Sequence, residues 1–385
     1  MDLRNETMLI LGDLIGFPTV TSDSNLDLIA YCEERLADVG AHIAITRHPS
    51  EDKANLLATI GPPVDGGVVL SGHTDVVPAD EDAWTGAPFV AMRREQRIYG
   101  RGAVDMKGFI ACTLAMASTF AAAGLRRPVH VALTFDEEVG CRGAPILVSD
   151  LVRNGPMPAV AIVGEPTEMA IIDAHKGCYE YTTTIGGLAG HGSAPGLGVN
   201  AVQTAARYVS RLMDLGKLLE ERGVADSPYE PPHTTINVGV VMGGTARNVV
   251  AGECVVEWEM RPVTKSDADF VLAGVEAVEQ ELLAEMRRVH PEASIVTHTE
   301  GAVDGLEKEP GSAAVALARG LLGDQSTSVV SFGTEAGIFQ AAGIPSVVCG
   351  PGSIEQAHRP DEYIEISQLE ACLDMLTSLT THLSS

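Results

Sequence analysis

The sequence predicts an α/β fold: a mixed sheet flanked by helices, interrupted by a second unit of βαββαβ order. Two observations carry this. Short apolar runs alternate with helical stretches over the first half of the chain and again after Gly301, which is the pattern of strands covered on both faces. Between them lies a segment whose strands alternate apolar with polar residues and whose two helical stretches are long. At 385 residues the chain is also too long for one average core.

In order along the chain, residues 26–39 place Leu28, Ile29, Cys32, Leu36 and Val39 at helical spacing with Glu33, Glu34 and Asp38 between them, a surface helix. Val68 to Leu70, Val129 to Phe135, Ala159 to Val163 and Ser346 to Cys349 read as buried strands, and 107–124 as a helix. Tyr179 to Ile185 opens the second unit. A helix follows from about Val199 to Gly223, then strands at Thr235 to Val241 and Cys254 to Met260. A second helix, capped by Ser266 and running to about Val289, leads into a strand at Ser294 to Thr297. That order can form a four-stranded sheet with both helices on one face. The expected division is a discontinuous domain of residues 1–177 and 301–385, with residues 178–300 inserted.

Composition narrows the function. A formal charge of −26 argues against nucleic acid or an anionic membrane as partner, since both are bound by clustered Lys and Arg, and leaves a small molecule. The seven cysteines are scattered and never form a CxxC pair, so they read as small buried hydrophobes in a reducing compartment. Acids interrupt the apolar positions of the N-terminal stretch, and no window is expected to reach the roughly 18 apolar residues of a membrane span. A cytoplasmic protein is expected.

Chemistry gathers at the strand ends. HTDVVP at 73–78 follows the run Val68 to Leu70 and offers His73 and Asp75 where open α/β sheets place ligands. Asp105 sits in a loop between Gly102 and Gly108; DEE at 136–138 and Glu165 each end a strand; His358 follows the last run. Two imidazoles with several carboxylates suit divalent ions such as zinc, cobalt or manganese, and a shared carboxylate suits a pair of them, with Asp105 the natural bridge. Asp75 is placed to hold the far nitrogen of His73. The DEE run supplies one ligand and one spare acid able to take a proton from the attacking water. His191, in the tight loop GHGSAP, is a candidate oxyanion donor.

The combination HTDVVP, VDMKG, DEE, GEPT, GHGSAP and QAHRPDE resembles the M20 metallopeptidase and deacylase family over nearly the whole chain. The resemblance implies a zinc-peptidase-like catalytic domain and an inserted ferredoxin-like lid used for dimerisation, hence a homodimer. It implies two divalent ions, zinc first, with His73 and Glu165 on one, Glu138 and His358 on the other, and Asp105 between them. It makes Glu137 the general base and Asp75 the orienting acid, renders the Asp105–Met106 peptide cis, and gives His191 to the oxyanion. Here the family's His-Ser-Ser reads His-Gly-Ser. AHKG at 174–177, RNVVAGE at 247–253, EWEMRP at 257–262, FGTEAG at 332–337 and CGPGSIEQAHRPDEY at 349–363 resemble the acetylornithine deacetylase branch. That implies hydrolysis of N2-acetyl-L-ornithine to ornithine and acetate, a step of arginine biosynthesis. Arg261 is then the candidate clamp for the α-carboxylate and Asn248 a second polar contact. Glu335 either orients a metal ligand or pairs with the δ-ammonium. The alternatives are another activity of the family (N-acyl-amino-acid or N-acetylcitrulline deacylation, succinyl-diaminopimelate desuccinylation, dipeptide cleavage) and a non-catalytic metal-dependent binding protein.

Overall fold

A computed structural model of the protein describes residues 2–223 and 227–385. They form two compact units. One runs to Ala174 and adds Leu306–Val329 and Thr334–Ser385; the other comprises His175–Gly305 and Val330–Gly333. The observed division thus differs from 178–300 by a few residues at each side and by the short segment 330–333.

The first unit is built on an eight-stranded mixed sheet, in the order His42–Arg47, Ala54–Ile60, Val129–Thr134, Val68–His73, Val160–Pro166, Ser346–Gly350, Ile172–His175, Ser328–Val330. The four runs expected as buried strands lie side by side in the middle of it and are mutually parallel. Val68–His73, Val129–Thr134, Val160–Pro166 and Ser346–Gly350 are buried at every position, as strands covered by helices on both faces must be. The antiparallel strands His42–Arg47 and Ala54–Ile60 extend the sheet and have no counterpart in the sequence reading, because His42–Arg47 is half-exposed and carries little apolar signal.

Helix Leu26–Asp38 matches the periodicity that predicts it, with Leu28, Ile29, Cys32 and Leu36 buried. Helix Gly108–Ala122 is different: it is apolar almost all round and packs in the core between the sheet and other helices. The stretch Ala103–Ala122 is in fact long and apolar enough to cross a bilayer by length and composition, which the sequence expectation missed; 89% of its apolar window is buried inside the protein.

The second unit has the expected βαββαβ order. Its sheet runs Thr235–Gly243, Glu253–Arg261, Cys178–Gly186, Ser294–Val303, all neighbours antiparallel. Helices Ala201–Arg222 and Lys265–Arg287 bury Tyr208, Leu212, Val271 and Val275 against Tyr181, Val256, Trp258 and Ile295. The Lys265–Arg287 helix is capped by Thr264, whose side chain accepts from Asp267 N, and not by Ser266, which lies inside the first turn.

Candidate active site

The four parallel strands bring their carboxyl ends to one edge, and the expected residues arrive there one strand at a time. His73 is the last residue of Val68–His73, Glu165 lies near the end of Val160–Pro166, Glu137 and Glu138 follow Val129–Thr134, and His358 follows Ser346–Gly350. Asp105 comes from an irregular loop: its φ of −122° and ψ of 92° are not helical, and its peptide bond to Met106 is cis. The chain enters that loop through Gly102 at φ 80°, where a Cβ would lie 2.7 Å from Val76 Cγ1, so only glycine fits.

The two oxygens of Asp105 face different histidines. Oδ1 is 3.1 Å from His73 Nε2, and Oδ2 is 3.2 Å from His358 Nε2. Glu165 Oε1 is 3.6 Å from His73 Nε2, and Glu138 Oε2 is 3.0 Å from His358 Nε2. Ligand atoms of His73, Asp105 and Glu138 lie within 4.8 Å of one another, as do those of His73, Glu137 and Glu165.

Four carboxylates and two imidazoles in so small a space are out of charge balance, and the titration of each group registers it. Burial raises Glu137, Glu138 and Glu165 above the usual carboxylate range, with the Asp105 charge among the further causes in each case. Burial would raise Asp105 too, but the bonds from His358 and His73 hold it well below. His73 goes up against its own burial because Glu165, Asp105 and Glu137 surround it. His358 is pushed up to about 10 by Asp105 and Glu138. The acids thus compete for too little positive charge. Glu165 Oε1 is moreover buried with no hydrogen-bond partner. A buried acceptor without a donor, beside histidines already pointing at carboxylates, fits divalent cations.

Asp75 acts otherwise than expected. His73 Nδ1 is held by the backbone carbonyl of Asp75 at 2.9 Å, while the nearer carboxylate oxygen is 3.6 Å away. The carboxylate instead accepts from the backbone N–H of Glu137 at 3.1 Å and of Glu138 at 3.2 Å, so it fixes the DEE turn. That turn begins with Asp136 at φ 56°, and its buried carboxylate is gripped by Lys53 Nζ at 2.6 Å. Lys53 escaped the sequence reading because a lone Lys in EDKAN carries no signal of burial. Glu335 is 1% exposed and accepts from Ser71 Oγ at 3.1 Å and Thr134 Oγ1 at 2.5 Å, in the strands that deliver His73 and Glu137. So enclosed, the Glu335 carboxylate links those two strands.

In the second unit, His191 lies in the short pairing Gly190–His191 with Val249–Val250. Its Nδ1 receives the backbone N–H of Ser193 at 3.2 Å and lies 2.6 Å from Ser193 Oγ. A backbone N–H can only donate, so Nδ1 is an acceptor and the exposed Nε2 carries the proton. The departure at Gly192 also has a cause: a Cβ there would be 2.8 Å from the backbone oxygen of Asn248, which accepts from Gly192 N at 2.7 Å. Arg261 ends the strand Glu253–Arg261, with Nε and Nη2 on Glu259 Oε2 at 3.1 and 2.8 Å.

Known proteins resemble this chain along nearly its whole length. The model of peptidase family M20/M25/M40 matches residues 69–382. Over 380 residues the chain is 34% identical to an acetylornithine deacetylase of Pectobacterium atrosepticum, covering 96% of this chain and 95% of that protein. An M20 family metallo-carboxypeptidase from Sulfolobus solfataricus has the same fold, with a TM-score of 0.78 at 18% identity over 100% of this chain and 99% of that one. So has a dinuclear metal binding peptidase of the M20 family from Bacillus subtilis, with a TM-score of 0.66 at 17% identity over 99% and 98%.

Proposed function

The chain belongs to peptidase family M20/M25/M40 and is a metal-dependent amidohydrolase, and from that premise we propose that it hydrolyses N2-acetyl-L-ornithine to L-ornithine and acetate, with Glu137 as general base. The observation that carries the metal part is the two-sided placement of Asp105, one oxygen toward His73 and the other toward His358. His73 and Glu165 would hold one divalent ion, Glu138 and His358 the other, with Asp105 shared. His and carboxylate donors suit zinc first, with cobalt or manganese able to replace it. When bound, the ions supply the positive charge that polarises the amide carbonyl and acidifies the attacking water.

Glu137 takes the proton of that water and passes it to the leaving α-amine. Its position suits proton transfer, since Asp75 accepts from its backbone N–H and its side chain lies among the proposed ligands His73 and Glu165 without being needed as one. His191, with its proton on the exposed Nε2, is suited to donate to the developing oxyanion. Arg261 is assigned to the substrate carboxylate. Glu259 occupies Nε and Nη2 on one side of its fork and holds its orientation. Asn248 is assigned as a second polar contact.

The acetylornithine substrate is supported by the identity to a curated deacetylase of that name over almost the whole chain. The same reading includes a step in arginine biosynthesis, a cytoplasmic location and a homodimer through the inserted unit. The dimer is supported by the strand Thr235–Gly243, an edge of its sheet with Val241 50% and Met242 57% exposed. Two assays decide. Glu137→Gln retains the metals and loses turnover by at least about a thousandfold if Glu137 is the base; near-normal kcat with both metals present rejects the assignment. A panel of N-acetylornithine, N-acetylmethionine, N-acetylcitrulline and succinyl-diaminopimelate, ranked by kcat/KM, places N-acetylornithine first; another substrate in first place replaces it.

A further inference from the structure

Four N–H donors converge on one buried carboxylate that supplies no metal ligand. Glu362 is 1% exposed. Its Oε2 accepts from Arg101 Nη1 at 2.7 Å and from Gly102 N at 3.0 Å. Its Oε1 accepts from Val104 N at 2.9 Å and from Asp105 N at 3.3 Å. An ionised carboxylate has about four lone-pair directions. All of these are used, so Glu362 has none left for a cation.

Its connections explain why such a group is there. The Gly102–Gly108 loop is irregular, and its amides cannot all be satisfied by helical bonding; Glu362 supplies the acceptors at Gly102, Val104 and Asp105. Glu362 lies on the same short segment as His358, and the Arg101 guanidinium that it binds also reaches the backbone oxygens of Arg359 at 3.5 Å and Pro78 at 3.2 Å. One node therefore ties together the segments that carry His73, Asp105 and His358.

We propose that Glu362 is a positioning residue of the metal centre: it seats Asp105 against His358, so that the cation shared by Asp105, Glu138 and His358 is bound tightly only while this carboxylate is in place. The inference rests on the two-metal reading above. Glutamine at this position cannot substitute, because its NH2 would face two of the four donors. Aspartate keeps the charge but withdraws it by one bond, about 1.5 Å.

The test strips the full-length protein with a chelator and titrates it with Co2+, read by visible absorption and calorimetry. The wild type, Glu362→Gln, Glu362→Asp and Leu36→Ala are compared. Leu36 is a fully buried core residue of helix Leu26–Asp38, and its truncation destabilises without touching the node. The expected result is two ions in the wild type and in Leu36→Ala. In Glu362→Gln one of the two binds roughly 10- to 100-fold more weakly, and Glu362→Asp falls between. If Glu362→Gln cannot be isolated folded, the comparison of Glu362→Asp with the wild type decides. Wild-type affinities in the Glu362 variants overturn the proposal, as does an equal loss in Leu36→Ala. A wild type that fails to take two ions overturns the two-metal reading itself.

Discussion

Replacing Lys53 with methionine tests whether the acidic turn is held by charge. Lys53 Nζ lies 2.6 Å from Asp136 Oδ1, and the two side chains are 9% and 2% exposed. At an effective dielectric near 20 the gross attraction at that distance is about 6 kcal/mol, most of it offset by desolvation. Burial indeed raises the Asp136 pKa even with Lys53 beside it, so the pair only partly compensates. Removing Lys53 leaves a buried acid without its cation and the carbonyl of Thr21, 2.6 Å from Nζ, without its donor. Breaking one half of a buried pair costs about 3–5 kcal/mol. For a unit of this size, that is a fall in Tm of roughly 6–20 °C. Because Asp136 precedes the proposed base, kcat should also fall, by about tenfold or more, as small misplacements of reacting groups do. Urea unfolding at pH 7.5 of Lys53→Met, Asp136→Asn and the double variant measures the coupling, expected at about 2 kcal/mol or more. A loss under about 1 kcal/mol in Lys53→Met, or additive effects of the two changes, would refute the brace.

Two further outcomes follow from local packing and titration. His130 is fully buried, with Nδ1 2.9 Å from Thr59 Oγ1, and burial lowers its pKa to about 4. Unfolded, it takes a proton near pH 6.5; folded, it resists. Its share of stability is whole above pH 6.5 and is lost progressively as pH falls toward 4, by about 3 kcal/mol in all. Denaturant midpoints measured across that range should fall less steeply in His130→Gln, and parallel curves would exclude this origin. At Gly164 a Cβ would stand 2.0 Å from Phe109 Cγ, so Gly164→Ala should cost at least about 1–3 kcal/mol. Phe109→Leu in the same chain should recover part of that loss; an unperturbed midpoint for the single variant would show that the ring yields freely.

Much of this molecule can be read without coordinates, for identifiable reasons. Strands buried on both faces are written as continuous apolar runs, so Val68–His73, Val129–Thr134, Val160–Pro166 and Ser346–Gly350 stand out, and reactive side chains at the ends of parallel strands must share an edge. The alternation of Tyr179 to Ile185 survives because one face of that sheet is covered and the other is not. Hydrogen-bond partners are not written in this way. That Asp75 serves the amides of Glu137 and Glu138, that Lys53 and Glu362 are buried keystones, and that Gly192 yields to the backbone of Asn248 all depend on atoms distant in sequence. Their residue types, two acids, a lysine and a glycine in polar stretches, look like any solvated loop. The sequence by itself determined which side chains could carry the chemistry, because that depends on residue type and strand position. Only the tertiary structure decided what holds them, because the burial of a polar group and the donors that satisfy it belong to the packed fold.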